Sequence, residues 1–410
     1  MDILDHLRMT CMHYPAIDNH AHPLLSAPNR ASVPFEGLVS EASDTALDDA
    51  VQTLACFRAT IDLALLYGIK GQDNVTWDEI KRAREKIDYE ELCRMCFEPA
   101  KIHCLLLDDG LGGVQEMCEG YQWHDRLTAV PNKRIVRVEI VAQDILTNIF
   151  TEYRNMTPSK RVSRFADELR KNILQSAETP DVVGFKSIVC YRTGMNVSTS
   201  CTDAELDNAL DAVYHRYLSN PAVPIRLADK VVNDFVVRTT LDVAGTYKKT
   251  VQFHTGLGDS DITLSLSSPS HLQHVIKAYP DTKIVLLHSS YPYTRDAGYL
   301  TAVYKNVYLD FGEIFPFLSA DGQKSVIRQV LELAPTNKIM WSTDGHWWPE
   351  SFYLGSVQAR QTLYDVLAQY VSDKHLTGSQ SITIAQNALF HNANRIYNLG
   401  LQEPYFDASE

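Results

Sequence analysis

The chain has 410 residues, 45% of them hydrophobic and 22% charged, with a formal net charge of -13. That is ordinary globular composition with ample material for a large core. The acidic balance argues against a nucleic-acid partner, which needs a basic face, and no apolar run is long enough to span a bilayer.

The first residues lack a basic segment followed by an apolar one, so no secretory signal is expected. The eight cysteines are Cys11, Cys56, Cys93, Cys96, Cys104, Cys118, Cys190 and Cys201. Without secretion they are expected to be reduced thiols of a cytoplasmic protein. Cys93 and Cys96 share a helical pattern with no second pair nearby, which points to packing rather than redox or zinc chemistry. The Asn-x-Ser/Thr triplets at Asn74, Asn155 and Asn196 are then accidental.

In chain order, residues 1–13 read as a short amphipathic helix. Tyr14-Pro15-Ala16-Ile17 opens a buried strand that runs into Asp18-Asn19-His20-Ala21-His22-Pro23. Alternate strand residues point to the same side, so His20 and His22 project together. Two imidazoles on one face can grip one metal ion. Residues 24–48, rich in Ser, Ala, Pro and Asp, read as a long loop. Residues 50–67 and 77–97 have helical apolar spacing. The stretch 24–100 is thus a helical insertion after strand one, placed to act as a lid or a dimer contact.

Apolar runs then predict strands at 102–107, 134–140, 181–189, 251–254, 282–288, 307–311 and 338–344. Helical patterns occupy 159–176, 203–218, 227–244, 271–278, 296–304, 321–333, 355–371 and 382–397. Eight mostly apolar strands separated by helices imply a parallel sheet. Eight is the number that closes a (β/α)8 TIM barrel. With no linker and no internal repeat, residues 1–410 read as one α/β barrel domain carrying the insertion.

Polar residues close these strands. Strand one ends in His20 and His22, strand four carries Lys186, strand five ends in His254, strand six in His288 and strand eight in Asp344. The C-terminal strand ends of a barrel converge on one mouth, where active sites sit. Burying such groups separately without partners is costly, so one shared site is expected. Arg192, just past strand four, could fork onto a substrate carboxylate. Glu139, at the end of strand three, could pair with Lys186 or bind a substrate amine. Trp347 and Trp348 could form an apolar wall for the substrate or pack in the core. His124 reads as structural, and His346 lies beside Asp344 in no recognisable motif.

The residues Asp18-Asn19-His20-Ala21-His22-Pro23, Gly184-Phe185-Lys186-Ser187 with Tyr191-Arg192, Phe253-His254-Thr255-Gly256, Leu287-His288-Ser289-Ser290-Tyr291-Pro292 and Ser342-Thr343-Asp344-Gly345 resemble the amidohydrolase superfamily. More narrowly they resemble its amidohydrolase-2 branch and the modules fused to glutamine-synthetase-like domains in FluG-type proteins. The likeness runs from residue 14 to about 398. A glutamine-synthetase-like portion is not expected, the sequence ending at Glu410.

The resemblance implies a divalent metal, Zn2+ in first place, held by His20, His22 and Asp344, with His254 as a further ligand in many members. Such an ion lowers the pKa of a water towards ~7, and Asp344 could take that water's proton. His288 would polarise the substrate or bind a second ion. Lys186 stands where binuclear members carry a carboxylated lysine and where mononuclear members carry a substrate contact. The function implied is hydrolysis of a C–N (amide) bond, a γ-glutamyl amide by analogy, in a small-molecule substrate. The alternatives are a one-metal non-oxidative decarboxylase and a regulatory module with an unused site. The resemblance leaves a homo-oligomer open.

Overall fold

Eight parallel strands follow one another round a single sheet, in chain order, in the computed structural model, which describes residues 2–71, 74–153 and 156–408. They are β1 (Ala16–Ala21), β2 (Ile102–Asp108), β3 (Lys133–Arg137), β4 (Val182–Ser187), β5 (Thr250–Phe253), β6 (Lys283–Leu286), β7 (Val307–Asp310) and β8 (Ile339–Met340). The backbone past β8 meets β1: Asn19 N donates to Trp341 O (3.3 Å), and Asp344 N donates to His20 O (3.0 Å). The result is the expected (β/α)8 barrel with helices between the strands. Asn155, of one of the Asn-x-Thr triplets, lies outside the described residues.

The third strand is shorter than its sequence pattern. It stops at Arg137, and Val138–Glu152 is a helix. The apolar–charged alternation through Ile140 mimics a strand, but buried Val138, Ala142, Ile145, Leu146 and Ile149 carry the helical period onward. Glu139 therefore stands in a first helical turn rather than on a strand. In the insertion, the pattern over 77–97 splits into Trp77–Glu85 and Tyr89–Ala100. Thr76 begins the first with a capping box to Glu79, and Asp88 begins the second by accepting from Glu90 N and Glu91 N. The loop over 24–48 holds short 3-10 turns at Ala27–Asn29 and Phe35–Leu38.

The main core lies between strands and helices. A smaller one gathers Phe35, Leu38, Leu63, Trp77 and Ile80 of the insertion around Trp348 and Leu354. All eight cysteines are free thiols. Among the described residues no helix is long and apolar enough to cross a membrane.

Inside the barrel, below the mouth, polar side chains bond to one another, with Gln252 Oε1 left unpartnered among the described residues. Asn19 Nδ2 donates to Asp310 Oδ1 (2.8 Å), Gln252 Nε2 donates to Asn19 O and to Tyr397 Oη (2.7 Å each), and the Tyr397 hydroxyl donates to Asn19 Oδ1 (3.1 Å). A network of this kind ties neighbouring strands to one register.

Arg360 ties three segments together. Its guanidinium donates to Cys11 O (3.0 Å), Tyr14 O (2.9 Å) and Ala100 O (3.1 Å), the last carbonyls of two helices and their exits. Burial pulls its pKa down to about 10. An Arg360→Met protein should lose about 3 kcal/mol of unfolding free energy, because buried carbonyls are left without donors. A urea midpoint equal to that of the wild type would refute this.

Candidate active site

The strand ends do converge. His20 and His22 leave β1 two residues apart, and each Nε2 lies 3.3 Å from Asp344 Oδ1. That oxygen is buried and has no hydrogen-bond partner. Ligand–ion distances of about 2.0–2.2 Å put neighbouring donors of a tetrahedral zinc site about 3.4 Å apart. His22 Nδ1 sits 2.8 Å from the Asp108 carbonyl. It donates there, which turns the Nε2 lone pair towards Asp344, the usual arrangement behind a ligating histidine.

A second group adjoins the first. His254, His288 and Glu313 can each bring one donor atom within 4.8 Å of the others. Glu313 Oε2 is 3.5 Å from His288 Nδ1, and both atoms are buried without a hydrogen bond. His254 Nε2 faces the Leu257 carbonyl (2.6 Å) and the Tyr191 hydroxyl (2.9 Å), leaving Nδ1 as its free nitrogen. Lys186 spans the two groups, with Nζ 3.0 Å from His20 Nε2 and 3.3 Å from His288 Nε2.

Backbone strain marks the same place. His288, Glu313 and Asp344 all have positive φ, of 66°, 61° and 53°. Left-handed backbone at non-glycine residues costs of order 1 kcal/mol each and gathers at functional sites. Asp18 and Asp310 hold the strained turns: Asp18 Oδ1 accepts from Thr343 N (3.0 Å), and Asp310 Oδ2 accepts from His288 N and Gly312 N (3.0 Å each). Burial raises Asp18 to about 8 and Asp310 to about 6.

The electrostatics suit a cation. Burial, then the Lys186 charge, holds His20 and His254 well below the ordinary imidazole value; burial, then His254, does so for His288. Burial alone would raise Asp344, but His22 and Lys186 outweigh it and keep it below the usual carboxylate range. Neutral imidazoles and an ionised carboxylate are the forms that bind metal. With orphaned donors at ligand spacing, the residues fit a divalent ion.

Residues 204–399 match the family model described as amidohydrolase. Over 98% of its length the chain is 43% identical to the fluG protein of Emericella nidulans. In these comparisons the chain is similar to the amidohydrolase superfamily. It spans about half of that curated relative, 48% of its length. Among solved structures, it resembles a protein of Lactobacillus casei ATCC 334 described as a metal-dependent hydrolase, at TM-score 0.77 and 24% identity, over 96% of this chain and 97% of the other. It also resembles a uronate isomerase of Bacillus halodurans C-125 at TM-score 0.61 and 12% identity, over 96% of each chain. At these identities the likeness is one of fold.

The barrel mouth opens into a cavity of about 420 Å³ that His22, Lys186, His254 and Asp344 line with Arg192 and Trp347. Trp348, beside Trp347, is instead 1% exposed in the smaller core. Glu139 does not pair with Lys186: its Oε1 accepts from Ser187 Oγ (2.6 Å) and Ile188 N (3.0 Å), because the helix start aims it along β4. His124 is structural as expected, accepting from Leu24 N at 3.0 Å. His346 lines the cavity and turns Nδ1 onto Asp344 O (2.8 Å).

The sequence does not single out several polar residues of this cavity, among them Glu313, Arg137 and Glu41, nor Asp108, which holds Arg137. Asp108 takes Arg137 through Nε (2.9 Å) and Nη2 (2.7 Å) on one oxygen. Glu41 comes from the insertion and lines the cavity, where burial raises it to about 7. A signal existed for Glu313, the one charge in an otherwise apolar stretch from Phe311 to Phe317, and for Asp108, where an apolar strand ends in acid.

Proposed function

We propose that this barrel is a metal-dependent hydrolase that cleaves a C–N bond of a small amide, a γ-glutamyl amide by analogy with FluG-type relatives. The carrying observation is Asp344 Oδ1, unpartnered and 3.3 Å from both His20 Nε2 and His22 Nε2. A bound Zn2+ would supply Lewis acidity and a nucleophilic water near neutral pH.

The protein's own groups do the rest. Asp344 is ionised and placed to accept the water proton and pass it to the leaving amine. His288 is neutral and buried beside it, able to polarise the carbonyl. Tyr191 is locked on His254 and narrows the mouth. Arg192 stands on the wall for a substrate carboxylate. Purified, zinc-loaded protein should release amine from a panel of γ-glutamyl amides and release no carbon dioxide from the matching acids. Carbon dioxide without amine would replace this reading with a decarboxylase.

A further inference from the structure

Three arginines line the cavity, and each is held differently. Arg226 is neutralised by Asp261 at 2.9 Å. Arg137 is 8% exposed and fixed by Asp108 through Nε and Nη2, which leaves Nη1 clear of that carboxylate. Arg137 is also the register partner of Lys186 across β3 and β4, one strand from the histidine cluster. Asp108 uses its backbone oxygen on His22 and its carboxylate on Arg137, so one residue positions a cation-liganding imidazole and a guanidinium together.

Arg192 forms no ion pair with a carboxylate among the described residues. Its Nε is buried with no hydrogen-bond partner, and burial and the nearby Arg226 and Arg137 charges lower its pKa against the opposing pull of Glu139 and Asp261, neither of which forms an ion pair with it. A half-buried guanidinium with an orphaned buried N–H and no paired carboxylate is stabilised by an arriving anion. The planar fork matches a carboxylate best. Glu41 and Asp259 line the same cavity, and a second anionic group on the ligand would meet them.

We propose that Arg137 and Arg192 form a carboxylate subsite beside the metal-ligand cluster, and that the substrate is a monocarboxylate whose remaining groups are neutral or cationic. This rests on reading the cavity as the substrate pocket of an amide hydrolase. A dicarboxylate is disfavoured by Glu41 and Asp259. A neutral amide leaves Arg192 without its counter-charge.

The test is calorimetric titration of the full chain, once stripped of metal by a chelator and once loaded with zinc. The probes are glutaramate, its neutral counterpart glutaramide, and glutarate. Glutaramate should bind more tightly than either of the others by on the order of tenfold. Arg192→Gln should abolish the preference for glutaramate over glutaramide. So should the pair Arg137→Gln with Asp108→Asn, which removes both charges and leaves no buried carboxylate unpaired. If that pair fails to fold, Arg192→Gln decides alone.

Equal affinity for glutaramate and glutaramide, no glutaramate binding at millimolar concentration, or a preference that survives Arg192→Gln would overturn the subsite. Glutarate binding as tightly as glutaramate would overturn the monocarboxylate assignment. The metal-stripped titration does not depend on hydrolysis. A preference that persists in a protein that releases no amine would sink the hydrolase reading and leave the subsite standing.

Discussion

His22→Ala protein, loaded with zinc and desalted, is expected to retain less than about a tenth of the wild-type metal and to lose activity with it. The substitution removes one of the two imidazoles whose Nε2 atoms stand 3.3 Å from Asp344 Oδ1. It also frees the Asp108 carbonyl that orients the ring. Asp344→Ala should behave alike, for a second reason: three neutral histidines around a dication then lack an ionised partner at close range. His20→Ala completes the set. The measurement is metal content by mass spectrometry, with a melting curve for each variant to show that it is folded. Full occupancy in folded His22→Ala protein would remove the cluster as the metal site.

Lys186 decides between one ion and two, and two are expected in protein prepared with zinc and bicarbonate. The amine touches both donor groups, His20 on one side and His288 on the other, a bridging position. An ammonium there would repel a dication. Burial lowers Lys186 to about 8, against the partial opposition of Asp344 and Asp108, so a useful fraction is free amine near neutral pH. Free amine and carbon dioxide join at nitrogen, a proton leaves, and the carbamate would share one negative charge over two oxygens able to serve two ions. Glu313, His254 and His288 stand ready as the second donor set. In Lys186→Ala the content should fall by at least one ion, and intact wild-type protein should gain the mass of one carbon dioxide. One ion in the wild type, still held by Lys186→Ala, would rule out the bridge and leave Lys186 as a substrate contact.

The repeating features of this protein are set by the sequence itself. A period of two puts His20 and His22 on one face whatever surrounds them, and eight apolar runs separated by helical patterns imply a closed parallel barrel. Once the barrel is accepted, Lys186, His254, His288 and Asp344 must meet, because a strand's C-terminal end can point only to the mouth. Glu139 and Arg137 show where this stops. They are two residues apart on a pattern that serves strand or helix equally, and the outcome rests on where Val138 begins to pack as a helix. Asp108 and Arg137 lie on neighbouring strands 29 residues apart in sequence, and their pairing depends on the stagger of β2 against β3. Glu313 reaches His288 from a left-handed turn held by Asp310, and Glu41 arrives from an insertion whose path is set by the core around Trp348. Local periodicity encodes which face a residue takes on its own element. Only the packed fold brings residues of different elements to one point, since that contact is decided by stagger, turn geometry and the burial of distant side chains.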